Sequence, residues 1–238
     1  MIFVVLPSYN EEHGLARLLP AIDASLPHPH RVIVVDDGSI DRTAEIARAH
    51  GPEVKLIAHS VNQGLGPTLR DGLKAALASA ADDDVVMTLD ADNSHDPSLM
   101  PHMLARIAAG CDVVVASRFR PGAETRGVPP FRRLTSWGAS MLLRTTLSIP
   151  GIRDFTCGFR AYRASALREA LRRDAGRFEE VTGFECMLYL LLQLRSMRPA
   201  LKFCEVPMIL RYDRKRSVSR MRVWRTIRST LATIIREI

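Results

Sequence analysis

Five short runs of β-branched and apolar residues recur along the first half of the chain, and they constrain the fold more than any other feature. They are residues 2–6 (Ile-Phe-Val-Val-Leu), 32–35 (Val-Ile-Val-Val), 54–58, 85–89 (Val-Val-Met-Thr-Leu) and 112–116 (Asp-Val-Val-Val-Ala). Each is nearly continuous in apolar character, the pattern of a strand buried on both faces. Between them, residues 11–25, 41–49, 66–80 and 97–109 carry apolar side chains at helical spacing. Strand and helix alternating at this period predict βαβ units. The expected class is therefore α/β, with a mostly parallel central sheet flanked by helices and right-handed crossovers.

The rhythm changes near residue 118. Residues 118–133 hold Pro121, Gly122, Gly127, Pro129, Pro130 and five arginines, which reads as a long functional loop. A helix is expected over 133–147, strands over 158–162 and 202–212, and a helix over 183–195 between them. The tail 217–237 sets Val218, Met221, Ile227 and Leu231 among Arg220, Arg222, Arg225, Arg228 and Arg236, an amphipathic basic helix. The expected organisation is one domain over 1–216, with 217–238 as a basic C-terminal helix that packs on it or contacts a membrane or partner.

The net charge of +7 is unevenly placed. From Arg195 to Ile238 there are 12 basic and 3 acidic residues, so the excess belongs to the C-terminal fifth. Such a surface suits phospholipid, nucleic acid or a phosphorylated substrate. No nucleic-acid module is recognisable, so nucleic acid is not expected. No run approaches 18 apolar residues, and Met1–Pro7 reads as a strand rather than a signal peptide. The four cysteines, Cys111, Cys157, Cys186 and Cys204, are widely spaced and form no C-x-x-C pair. They read as small hydrophobes in a reducing cytosol rather than as a disulfide scaffold or metal finger.

Ligands of an open parallel sheet bind beyond the carboxyl ends of the strands. The first strand leads into Pro7-Ser8-Tyr9-Asn10-Glu11-Glu12, the second into Asp36-Asp37-Gly38-Ser39, the fourth into Asp90-Ala91-Asp92-Asn93, and the fifth into Ser117-Arg118-Phe119-Arg120. Three acidic clusters at one edge repel unless a cation or hydrogen-bond donors join them. Two carboxylates in a D-x-D arrangement suit a hard divalent cation that also binds substrate phosphates. Read blandly, Asp92, Asn93 and Asp96 before Pro97 cap a helix, as do Ser39 or Asp41. His95, beside the site, reads as a solvated loop residue. Neither G-x-x-x-x-G-K-[ST] nor G-x-G-x-x-G occurs after the first strand. The glycines of Asn62-Gln63-Gly64-Leu65-Gly66 would let backbone approach closely.

Taken together these segments resemble the inverting GT-A family 2 glycosyltransferases, and within them the polyprenyl-phosphate enzymes of the dolichol-phosphate mannose synthase type. The resemblance rests on the segments quoted, on Asp154-Phe155-Thr156-Cys157-Gly158-Phe159-Arg160-Ala161, and on Glu205-Val206-Pro207 followed by Arg214; it covers most of residues 2–222. It implies a GT-A, Rossmann-like fold. It implies a nucleotide-sugar donor, a Mg²⁺ or Mn²⁺ cofactor and a lipid-phosphate acceptor at a membrane surface. The donor pocket would comprise Pro7, Tyr9, Glu11, Asp37 and Asp90, closed by Arg214 and Arg220. Asp90 and Asp92 would face the metal, with Asp92 a ligand. Arg118, Arg133 and Ser136 would hold acceptor phosphate. The expected location is cytoplasmic, on the inner face of a membrane.

The sequence departs from that pattern at two places. Ser94 stands where the mannose synthases usually carry a glutamine, and the R-x-x-G-x-S-K motif becomes Arg214-Lys215-Arg216-Ser217-Val218-Ser219-Arg220, with its glycine lost. The implied reaction is a single displacement at the anomeric carbon, with Asp92 and Arg118 in the machinery. A phosphate acceptor is already anionic near pH 7 and needs positive charge rather than a base. Arg118, Arg120, Arg126, Arg132 and Arg133 can supply it. Glu185 is a candidate catalytic base for a hydroxyl acceptor, or a partner for an arginine such as Arg160. Two other readings stay open: transfer to a soluble or carbohydrate hydroxyl, and a non-catalytic basic binding protein on the same scaffold. A homo-oligomer stays open too.

Overall fold

A computed structural model describes residues 1–129, 138, 140, 141, 143–147, 149–174, 176–215 and 233. Of the helix expected over 133–147, residues 138, 140, 141 and 143–147 are described and are helical, whereas the basic helix of 217–238 lies outside the described residues but for Thr233.

Seven strands form the main sheet in the order β3-β2-β1-β4-β7-β5-β8. They are β1 (Ile2–Ser8), β2 (His30–Asp36), β3 (Val54–Ala58), β4 (Val85–Thr88), β5 (Val113–Ser117), β7 (Arg160–Arg163) and β8 (Phe203–Pro207). The pairs β1–β2, β1–β4, β2–β3 and β5–β8 are parallel, as expected. Strand β7 is the exception, inserted antiparallel between β4 and β5. Local periodicity shows only that this segment is apolar, not where it pairs. Two further strands, β6 (Glu124–Arg126) and β9 (Ile209–Arg211), make a small parallel sheet of their own. The expected strand 202–212 is thus two, broken at Met208.

The helices are α1 (Glu12–Ser25), α2 (Thr43–Ala49), α3 (Leu65–Leu77), α4 (Met100–Ala108), α5 (Ala164–Arg173) and α6 (Cys186–Arg195). Helix α4 is preceded by a 3₁₀ turn at Pro97–Leu99, where Asp96 accepts from the Ser98 N–H. Periodicity does not reveal α5, because its buried face is built mainly from Ala164, Ala166, Leu167 and Ala170 rather than from large apolar side chains. Helix α1 packs on α2 and on the 3₁₀ turn, α3 lies across β1 and β2, and α5 packs on α6. Val4, Val5, Val32, Val34, Val86, Met87, Val113, Val114 and Val115 are all 0% exposed. Full burial of such side chains contributes about 1.5–3 kcal/mol each. That fixes the sheet rigidly and leaves function to the loops at its carboxyl edge.

The cysteine expectation needs correction. Cys111 and Cys204 form a disulfide with a Cα–Cα separation of 6.1 Å, joining residues 93 positions apart. The pairing of β5 with β8 places Val114 opposite Cys204, bringing Cys111 within reach; sequence spacing carries no trace of this. Cys157 and Cys186 are free and buried, as expected of small hydrophobes.

Candidate active site

The loops after β1 and β2 are stitched together. Asn10, at φ 54°, receives the Ile40 N–H on its side-chain oxygen at 2.9 Å, and its own N–H donates to Ser39 Oγ at 2.8 Å. The Glu11 N–H donates to Thr43 Oγ1 at 2.8 Å. Asp36 is a turn residue, accepting the Ser39 N–H, and Asp41 serves the start of α2 by accepting the Thr43 N–H.

Asp37 turns toward the loop after β3. It accepts backbone N–H bonds from Gln63 and Gly64, both at 2.9 Å, and its Oδ1 lies 2.8 Å from His59 Nδ1. The His59 side chain is 6% exposed, and its Nε2 lies 3.2 Å from Asp71 Oδ2. The carboxylate therefore holds residues 59–64 in place at the rim of the site. The glycines of that loop serve the chain's own packing: a Cβ on Gly66 would stand 1.9 Å from the Val181 carbonyl, and its N–H donates to Thr182.

Beyond β4, Asp92 is buried and Asp90, two residues before it, is half-buried. Gly14 of α1 abuts this turn, and a Cβ there would meet the Ala91 carbonyl at 2.4 Å. Asp92 Oδ1 accepts from the Ser94 N–H at 2.9 Å and from Ser94 Oγ at 2.6 Å. Its Oδ2 accepts from Lys215 Nζ at 2.6 Å. Burial works to raise the Asp92 carboxyl, but the Lys215 charge and the Ser94 bond outweigh it and hold the group below the usual carboxylate range. Asp90 goes the other way: burial, helped by the Asp92 charge, pushes its carboxyl up. Burial lowers the Lys215 ammonium, yet Asp92, Asp90 and Glu11 together raise it. Glu11, Asp90 and Asp92 thus all act on the Lys215 ammonium, while Asp37, expected beside them, engages the neighbouring loop instead. Asp90 also lines a small recess with Pro7, Leu69, Thr88, Gly158 and Met187. His95 is not solvated: it is 4% exposed, accepts the Asp90 N–H and stacks on Phe159.

After β5, Arg118 meets Asp154. The guanidinium Nε and Nη2 each donate at 2.7 Å to the carboxylate, and Nη2 also reaches Thr156 Oγ1. Burial would lower the Arg118 guanidinium, but the Asp154 charge more than reverses this and raises it. Glu205, on β8, clamps the same turn by accepting the N–H groups of Arg153 and Asp154 at 2.6 and 2.7 Å. Burial pushes its carboxyl up. Arg120 stands 3.7 Å away. Two positive and two negative side chains form one network at this strand end.

Glu185 does not sit within an apolar helix but at the N-cap of α6, where its carboxylate accepts the Gly183 N–H at 3.1 Å. Nor does Arg160 pair with it: that fully buried guanidinium donates to the carbonyls of Phe155, Cys157 and Met187. Arg214 approaches Asp96 at 3.4 Å, and Tyr9 borders the β1 loop. Arg133, Ser136 and Arg220 lie outside the described residues. Sequence reasoning assigned nothing to His59, Asp154 or Lys215. Asp154 and Lys215 lie inside quoted motifs, so family pattern flagged the segments but not the contacts.

A sequence profile described as "Glycosyl transferase family 2" matches residues 3–171. The chain belongs to glycosyl transferase family 2. This family 2 glycosyltransferase is 34% identical over 170 residues to an undecaprenyl-phosphate mannosyltransferase of Micrococcus luteus, covering 70% of this chain and 68% of that one. It is 35% identical over 166 residues to a dolichol-phosphate mannosyltransferase of Pyrococcus furiosus, covering 68% of this chain and only 46% of that one. In structure it is similar to glucosyl-3-phosphoglycerate synthase of Mycobacterium tuberculosis, solved with Mn²⁺, UDP-glucose and phosphoglyceric acid. The TM-score is 0.73 at 21% identity, over 100% of this chain and 79% of that one. The glycosyltransferase fold expected from the sequence is borne out.

Proposed function

We propose that this glycosyltransferase moves a hexose from a UDP- or GDP-linked donor to a polyprenyl phosphate, with inversion at the anomeric carbon. Mannose is the sugar its relatives' names suggest. The observation that carries the reading is the buried Asp92, which already holds a cation, the Lys215 ammonium, with Asp90 two residues before it. Among the described residues no group of three or more His, Cys, Asp or Glu forms a metal cage. One or two carboxylates fit the other mode, in which a hard divalent ion is completed by substrate phosphates. Asp92, with Asp90 beside it, would hold Mg²⁺ or Mn²⁺, which when bound supplies Lewis-acid neutralisation of the leaving diphosphate.

The protein's own residues divide the remaining work. Pro7, Tyr9 and Glu11 line the nucleoside side of the pocket, and Asp37 shapes its wall by holding residues 59–64. Arg214 and Arg220 bring positive charge over the donor diphosphate. Arg118, oriented by Asp154, holds the acceptor phosphate with Arg133 and Ser136, since a planar guanidinium suits bidentate phosphate contact. An anionic acceptor needs no proton removed, so Glu185, whose carboxylate accepts the Gly183 N–H, is not called on as a base. No helix among the described residues is long and apolar enough to cross a membrane. The basic segment 217–238 would bring the site to the lipid surface electrostatically.

The test supplies UDP- and GDP-hexoses with Mn²⁺, with and without polyprenyl phosphate, and follows lipid-linked sugar. Sugar transfer that requires the lipid phosphate supports the reading. Transfer to a hydroxyl acceptor without it, abolished by Glu185→Gln, would replace it with the alternative.

A further inference from the structure

Residues 211–215 are fastened across one loop at three points. The Arg211 N–H donates to the Ser94 carbonyl at 2.8 Å, Arg214 Nη1 lies 3.4 Å from Asp96 Oδ2, and Lys215 Nζ lies 2.6 Å from Asp92 Oδ2. All three partners fall between residues 92 and 96. The Lys215–Asp92 pair is largely buried, with side chains 16% and 8% exposed. A carboxylate so far from water needs a positive partner, and here the chain provides its own. Ser94 already occupies Oδ1 with two bonds, so Oδ2 is the oxygen left for a metal, and Lys215 is on it. Two cations on one carboxylate oxygen repel strongly at such short range. Only one can hold the position.

We propose that Lys215 is an internal counter-cation of the metal site: it neutralises Asp92 in the free enzyme, and a divalent ion reaches Asp92 only by displacing it. Occupancy of the site then removes one of the three fastenings of residues 211–215, so metal binding and the position of this segment are linked. Linkage is reciprocal, because whatever holds Lys215 on Asp92 weakens the metal by the same factor. Lys215 is a positioning residue that sets how tightly the site takes its ion. The idea deepens the functional reading by assuming that a divalent ion binds Asp92.

The experiment measures Mn²⁺ binding to the whole protein without any sugar donor, by the electron paramagnetic resonance of free Mn²⁺. Variants are Lys215→Met, Lys215→Gln and Asp92→Asn. The proposal expects both Lys215 variants to bind Mn²⁺ more tightly by on the order of 10-fold, within the roughly 5- to 150-fold range of coupled sites. It expects Asp92→Asn to lose binding. Hydrogen exchange of residues 211–215 in the unsubstituted protein should accelerate as Mn²⁺ saturates. Equal or weaker binding by both Lys215 variants, with Asp92→Asn still deficient, overturns the competition and leaves the metal reading standing. Absence of Mn²⁺ binding in every form overturns both.

Discussion

Replacing Asp154 by Asn tests the network at the end of β5. Asp154 is fully buried and Arg118 is 19% exposed in its side chain, so the substitution strips the counter-charge from a guanidinium with little access to water. Removing one partner of a buried pair costs about 3–5 kcal/mol. Asn keeps an oxygen for the Thr156 and Cys157 N–H groups but turns its NH2 toward the Arg118 N–H, so the least expected cost is about 3 kcal/mol. In a chain of this length that lowers the melting temperature by about 6–12 °C. The assay is urea denaturation at pH 7, reading a midpoint shift at constant slope, with calorimetry alongside. The pH dependence has a definite sign. Burial would raise the Asp154 carboxyl, but Arg118 outweighs it and holds the group below its ordinary range. Its contribution is therefore full above the unfolded-state value of about 4 and is lost as pH falls through the depressed native value. The variant lacks that term, so the two stability curves converge on acidification. Removing both charges while keeping an acceptor, Arg118→Met with Asp154→Asn, should recover part of the loss while abolishing use of a phosphate acceptor. A cost under about 1 kcal/mol at pH 7, the value of an exposed pair, would refute the claim that the network is desolvated.

Three other outcomes follow from the same contacts. His59→Asn removes the imidazole bridging Asp37 and Asp71; stability should fall by about 1–3 kcal/mol, and donor Kd should rise while acceptor KM stays level. Cys111→Ser opens a disulfide spanning 93 positions, and the denaturation free energy should drop by about 2–4 kcal/mol, as it should for the unsubstituted protein in reductant. Glu185→Gln should keep turnover with a lipid-phosphate acceptor within a few-fold, whereas a true general base would cost roughly 100-fold or more in kcat.

The amino-acid sequence by itself determined most strands of the main sheet and most helices, and it pointed to the edge where a site is expected; β6, inside the stretch read as a loop, it did not show. Strands buried on both faces announce themselves as unbroken apolar runs, and a parallel sheet puts its ligands where those runs end. The ordering of Glu11, Asp37, Asp90, Asp92 and Arg118 behind successive strands was therefore legible from local pattern, whereas Pro7 lies inside β1. Only the tertiary structure decided who touches whom. The antiparallel entry of β7, the Cys111–Cys204 bond, the turning of Asp37 to His59 and the seating of Lys215 on Asp92 join residues 22 to 123 positions apart. Periodicity reports the faces of single elements and is blind to such distances. Whether a carboxylate there meets a lysine, a histidine or a backbone amide is settled by which loops the packed sheet brings side by side.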